Sequence, residues 1–419
     1  MRSPILDYLD SILTATSGIS SGETAQYIPE LAAADPSRAA VALCTVNGTV
    51  YASGDADHGF SIQSMSKPFA YAAAIEAHGL EAVLERIGVE PSGEAFNELS
   101  LDPVTGRPRN PMINAGAIVA HALVDDGGGE GAGRMLDLFS RLAGHPLEVD
   151  EAVAASELAT ADRNLGLAYL LHAAQALEVE PRRAVTGYIR QCAVAVTVRD
   201  LALMAATLAN GGVQPETGER VFGRGTTRHV LSVMTSCGMY DAAGDWLTSV
   251  GIPAKSGVAG GIIGVLPGQV GVAVLSPRLD AHGNSARGVE MMRRLSEDLG
   301  LHLMEASRPA RSSLREVRTE QTRAGTATVY VLQGDLVLSS IESLVRALVE
   351  SPPPTAQVVF DMSRVDEVLP VARRTAAETA ARLIDEGHRI AIIDPESTVP
   401  RFQDSRGRPV DRWEGLTAS

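Results

Sequence analysis

Ten residues, Phe60-Ser61-Ile62-Gln63-Ser64-Met65-Ser66-Lys67-Pro68-Phe69, constrain this 419-residue chain more than any other stretch. They set Ser64 and Lys67 three positions apart, which on a helical turn puts a hydroxyl and an amine on one face. The Ala-rich run that follows, Ala70 to Ala77, reads as helix. Ser64 therefore falls near a helix N-terminus, where unpaired N–H groups and the dipole favour negative charge. A serine hydroxyl is inert near neutral pH and becomes a nucleophile only when a base takes its proton. Lys67 can be that base only in its neutral form. Bringing a lysine pKa from about 10.4 to about 7 takes roughly 4–5 kcal/mol. A helix terminus supplies at most about 2 kcal/mol, whereas burial supplies several pK units. The pattern thus requires a desolvated Lys67. Alone, Ser-x-x-Lys also fits a solvated pair opening an ordinary helix.

The rest of the N-terminal three quarters supplies a mixed set of elements. Residues Pro4 to Thr14 carry apolar residues at helical spacing. Ala39 to Cys44 and Val50 to Ser53 read as strands joined by the hairpin signal Asn47-Gly48. Leu80 to Ile87 looks helical, and Asn97 to Gly116 is rich in turn residues. It ends in Asn114, which can cap a helix Ala115 to Val124 or present its amide to a ligand. Residues 125–133 (DDGGGEGAG) read as a flexible connection. Helices follow at Met135–Ala143, Val149–Ala159, Asn164–Leu177, Ala184–Cys192 and Val198–Asn210. Glu157 and Asn164 lie at helix ends in this reading, where a solvated end and a cap are the plainer roles. Late in the chain, Lys255-Ser256-Gly257-Val258-Ala259-Gly260-Gly261 precedes two apolar runs, Ile262–Leu266 and Val270–Ser276, read as strands. A glycine-rich strand of that kind can bring backbone N–H groups up to a serine as an oxyanion hole.

Charge and cysteine usage exclude several classes. A formal net charge of −15 opposes binding to nucleic acid or to an anionic membrane. The most apolar later run, Gly261 to Leu275, is broken by Pro267 and Gly268 and is too short to span a bilayer. The N-terminus carries no apolar signal core. Cys44, Cys192 and Cys237 are far apart and match neither a metal pattern nor a disulfide framework. The expectation is a soluble, cytoplasmic protein without metal or cofactor.

An early Ser-x-x-Lys and a late Lys-Ser-Gly around a helical middle is the layout of serine β-lactamases and penicillin-binding proteins. The fold class expected is therefore α+β, with an antiparallel sheet plus a helical cluster. The words QSMSKP, NPMINAGAI, ELATADRN, YIRQC, LANGG, SCGMYD and KSGVAGG together resemble the serine-dependent glutaminase family of the β-lactamase-like superfamily, over roughly residues 5–305. The resemblance implies L-glutamine amidohydrolase activity. It makes Ser64 the nucleophile and Lys67 its base. It matches Tyr27, in Tyr-Ile-Pro, to a tyrosine on a mobile segment over the site. It matches Asn114, Glu157, Asn164, Tyr188 and Tyr240 to substrate-binding residues, Tyr240 also to a catalytic one. Val258 matches the residue whose N–H joins that of Ser64 in the oxyanion hole. Family members assemble as dimers or tetramers, so a homodimer or homotetramer is expected. Two alternatives stand beside this reading: another penicillin-recognising-type serine hydrolase, and a non-catalytic regulator.

The tail differs in kind. Residues 306–325 are polar and Arg-rich, without apolar periodicity, and read as a linker. Residues 326–396 alternate strand and helix: Thr328–Leu332, Ser339–Glu350, Val358–Asp361, Val371–Glu386 and His388–Ile393. The words LQGDLVLSS, VVFDMSRVD and GHRIAIID resemble a STAS (anti-sigma-factor-antagonist-like) domain, a small α/β unit, whose partner the sequence does not name. The loop Val368-Leu369-Pro370-Val371-Ala372 has no hydroxyl where that family places a phosphorylated serine. Residues 397–419 read as a polar tail.

Overall fold

A computed structural model describes residues 3–92, 101–102, 104–125, 129–305, 313–322, 325–399 and 402–416. The chain forms two compact units. One comprises Leu9–Arg294 with His302–Met304, and the other Met1–Tyr8, Leu295–Leu301 and Glu305–Ser419. Among the described residues no helix is long and apolar enough to cross a membrane.

The first unit is built on an antiparallel sheet. Its strands are β1 (Ala40–Thr45), β2 (Val50–Gly54), β5 (Ala254–Gly257), β6 (Gly261–Leu266) and β7 (Val270–Leu275), in the order β2-β1-β7-β6-β5. The short strands β3 (Phe60–Ser61) and β4 (Ala195–Val196) pair separately. Asn47-Gly48 turns the chain from β1 to β2, with Gly48 at φ +87°. Every residue of β1, β6 and β7 is buried, as apolar runs without alternation require. The helix Val198–Ala209 lies so close to β7 that a Cβ on Gly271 would stand 2.2 Å from Ala206 N. A capping box of Thr197 and Asp200 starts that helix. The helices Lys67–His78, Asn114–Asp125 and Pro181–Cys192 share one apolar core with it. This is the α+β arrangement expected, with the helical cluster beside the sheet.

Several boundaries move by a few residues. Asp150 caps a helix Glu151–Ala159 through Ala152 N and Val153 N, so that helix starts later than its apolar run. The flexible connection read over 125–133 lies partly outside the described residues, at 126–128. Asp125 closes one helix and Gly131 opens the next.

In the second unit, β8 (Leu314–Thr322), β9 (Gly325–Leu336), β10 (Gln357–Val368), β11 (Arg389–Ile393) and β12 (Asp411–Trp413) form one sheet in the order β12-β11-β10-β9-β8. β9 through β12 run parallel to their neighbours and β8 antiparallel to β9. Helices Leu338–Glu350 and Pro370–Asp385 make the crossovers that parallel pairing demands. The linker reading of 306–325 is corrected here. Leu314–Thr322 is an edge strand, and most of its side chains face solvent, so no apolar period marks it; residues 306–312 and 323–324 lie outside the described residues. The polar tail is corrected likewise. Asp411–Trp413 adds a strand and buries Trp413.

Candidate active site

Ser64 lies in a tight 3₁₀ turn, Gln63–Ser66, immediately ahead of the helix Lys67–His78. Gln63, just before it, adopts φ +49°, a left-handed conformation that a residue with a Cβ avoids unless its surroundings impose it. Tyr240 is in the same region at φ +56°. Both therefore mark places where the fold holds strain.

Lys67 is fully buried, and its Nζ donates to Met112 O at 3.2 Å and Asn114 Oδ1 at 2.7 Å. Burial brings its pKa from the ordinary 10.5 down to about 8. Cys192 is not a counter-ion, because burial pushes its thiol up to about 11. The desolvation that the sequence demanded of Lys67 is thus present. Asn114 does more than its sequence reading suggested. Its Oδ1 also accepts from Tyr188 OH at 3.3 Å, and its Nδ2 donates to Asn164 Oδ1 at 3.1 Å. One amide therefore ties the lysine, the tyrosine and the second asparagine together.

Tyr240 OH donates to Ser256 O at 3.1 Å and also bonds Ser64. Burial raises its pKa, so the phenol stays protonated. Glu157 forms a second group. Its Oε1 accepts from Tyr27 OH at 2.8 Å and Gln63 Nε2 at 3.1 Å. Burial raises the Glu157 pKa, against the lowering effect of those two bonds. Tyr27 keeps 47% of its surface exposed while its hydroxyl bonds Glu157.

Val258 occupies the turn between β5 and β6, packed with Ile28, Leu31 and Ala193. Glycines press this hairpin against the Gln63–Ser66 turn. A Cβ on Gly257 would sit 3.4 Å from Ile62 O, and one on Gly261 would sit 2.4 Å from Met65 Cε. Lys255 had no assigned role in the sequence. Its buried Nζ donates to Gly238 O at 3.0 Å and Ser256 O at 2.7 Å, 4.0 Å from the centre of the Tyr240 ring. Burial, then the charge of Lys67, holds its pKa well below the ordinary value. The Lys-Ser-Gly word was the available signal for it. The bonds from Gln63 to Glu157 and from Gln191 to Ser66 were not legible, because those partners lie 94 and 125 positions apart. Among the described residues no three His, Cys, Asp or Glu side chains gather to hold a metal ion.

The arrangement offers a serine hydroxyl bonded to Tyr240, a desolvated lysine on the next turn, a buried phenol and a half-buried carboxylate. Such a set can bind an ammonium group and open an amide without metal. A family model described as Glutaminase matches residues 22–304. A glutaminase of Corynebacterium glutamicum is 49% identical over 407 residues, covering 96% of this chain and 97% of that protein. A glutaminase of Corynebacterium efficiens is 47% identical over 407 residues, covering 96% and 95%. The crystal structure of Mglu in its glutamate form is similar, with a TM-score of 0.72 at 45% identity, covering 95% of this chain and all of that one. The likeness to the two Corynebacterium proteins extends past the end of the family model, into the second unit.

Proposed function

The chain belongs to the glutaminase family, and from that premise we propose that it hydrolyses L-glutamine to L-glutamate and ammonia through an ester on Ser64. It is an amidohydrolase. The observation that carries the mechanism is the buried Lys67, held near pKa 8, one turn beyond Ser64. Neutral Lys67 takes the Ser64 proton as Oγ bonds to the amide carbon. The N–H groups of Ser64 and Val258 receive the oxyanion, each contributing roughly 3–4 kcal/mol. The C–N bond then breaks, and the nitrogen leaves as ammonia with a proton from Lys67 or Tyr240. Water adds to the γ-glutamyl ester, and Ser64 departs with its proton restored. Glu157 pairs with the substrate ammonium. Asn114, Asn164, Tyr188 and Tyr27 surround the α-carboxylate end. Rapid quenching during turnover, with intact-protein and peptide mass spectrometry, tests this. A γ-glutamyl adduct on the Ser64 peptide is expected. An adduct elsewhere, or steady turnover by Ser64→Ala, overturns the mechanism.

For the second unit we propose a STAS-like domain with a docking role, whose partner is unassigned. Its alternating parallel strands and crossover helices support that reading. Assembly as a homodimer or homotetramer and a cytoplasmic location complete the proposal; light scattering of the purified protein tests the assembly.

A further inference from the structure

Three buried polar side chains near the nucleophile take no part in that mechanism: Ser66, Gln191 and His121 are 0%, 1% and 2% exposed. Buried polar groups are costly unless bonded, and these are bonded to one another in a line. His121 Nδ1 lies 2.9 Å from Gln191 Oε1. Gln191 Nε2 donates to Ser66 Oγ at 3.0 Å. Ser66 Oγ donates to Gln63 O at 2.8 Å. Only one direction satisfies every link. The Ser66 proton goes to Gln63 O, so its oxygen accepts from the Gln191 amide nitrogen. Gln191 then turns its carbonyl to His121, whose Nδ1 carries the proton. Burial lowers the His121 pKa, which favours that neutral ring.

The end of the line is chemically specific. Gln63 O and Ser64 N–H belong to the same peptide group, and that group is planar. Holding the carbonyl oxygen therefore fixes the direction of the Ser64 N–H. Gln63 sits at φ +49°, where a residue with a Cβ does not rest unaided. We propose that Gln191 is a positioning residue for the oxyanion hole: through Ser66 it holds the Gln63–Ser64 peptide in the plane that aims Ser64 N–H at the reacting oxygen. His121 fixes the orientation of the Gln191 amide. The inference rests on Ser64 being the nucleophile.

The outer end of the line borders a cavity. His121, Gly131 and Gly187 line a cavity of 370 Å³ together with Arg183. A Cβ on Gly187 would stand 2.2 Å from His121 Nε2, and one on Gly131 3.1 Å away. The imidazole Nε2 therefore lies against two glycines that line that cavity.

The test replaces Gln191→Glu, which keeps the shape but, ionised, has no proton for Ser66. The Ser66 hydroxyl then turns to the new carboxylate and releases Gln63 O. Deleting one oxyanion donor lowers kcat about 10²–10³-fold; misaiming it is expected to lower kcat roughly 10- to 100-fold, with KM for glutamine within about twofold. Ser66→Thr and Ser66→Val form the second arm. They share a shape and differ only in the hydroxyl, so Thr should exceed Val by a similar factor. A readout insensitive to folding completes the set: affinity for the glutamine analogue bearing a boronic acid in place of its amide, compared with affinity for L-glutamate. The boronate forms a tetrahedral adduct on Ser64 and needs the hole, whereas glutamate does not. Boronate affinity should fall in step with kcat/KM while glutamate affinity holds. In His121→Ala, added imidazole entering from the cavity should restore part of kcat. Equal activity of the Thr and Val variants, or parallel losses of boronate and glutamate affinity, overturns the inference. If Ser64→Ala keeps turnover, the underlying mechanism fails first and the two failures are told apart.

Discussion

Titration across about pH 6 to about pH 9.5 questions Lys67 directly, because the proposed mechanism uses its base form. The perturbation is the proton itself. The fall in pKa from 10.5 to about 8 corresponds to about 3 kcal/mol. At pH 7, about one tenth of such a group is neutral, against roughly one in 3,000 for an ordinary lysine. kcat/KM should therefore rise about tenfold per pH unit below the inflection and level off above about pH 8. Initial rates of ammonia release at low glutamine and constant ionic strength give the curve. Lys67→Arg, which cannot lose its proton near neutrality, should lose at least about 10³-fold. A flat profile across the range would refute the reasoning. So would a rise that continues without levelling to the top of the range, as an unperturbed lysine would give. An identical limb in Lys67→Met would assign the titration to another group, Lys255 first, since its pKa is also depressed.

The same shift has a thermodynamic side. Between the folded pKa of about 8 and the unfolded 10.5 the unfolded chain holds the extra proton, so stability rises with pH. Across that window wild type should gain up to about 3 kcal/mol over Lys67→Met in urea unfolding, with no change in the difference below it. Glu157→Gln should raise KM for glutamine roughly 30- to 100-fold with a smaller effect on kcat, because an ammonium loses its buried partner; steady-state kinetics read this. In wild type, KM should climb as pH falls through the raised Glu157 pKa, since only the carboxylate pairs. Gly238→Ala should destabilise by about 2–4 kcal/mol, for its Cβ would lie 1.7 Å from Ala254 O and 2.6 Å from Met234 O; the urea midpoint reports it.

Local chemistry decided what the sequence disclosed. The Asn47-Gly48 hairpin and the apolar runs of β6 and β7 were legible because turn residues and unbroken burial leave a direct mark. Ser64 and Lys67 were legible because both sit on one turn. β5 was not read as a strand, since Ala-Lys-Ser-Gly has neither alternation nor β-branched residues, and tertiary pairing with β6 decides it. β8 escaped for the opposite reason: as an exposed edge it carries few apolar side chains. The double duty of Asn114, bonded to Lys67, Tyr188 and Asn164, depends on residues up to 74 positions away. The Gln191–Ser66 bond on which that line depends joins residues 125 positions apart, and no local pattern records it.

The account rests most heavily on Ser64 as the atom that takes the acyl group. Ammonia release from L-glutamine by purified wild type beside Ser64→Ala, each shown folded by its urea midpoint, tests that claim most directly. Robust release by wild type with loss of at least about 10⁴-fold in the variant is the predicted result. Release by the variant within about tenfold of wild type would contradict it and leave the buried Lys67 to be explained by another chemistry.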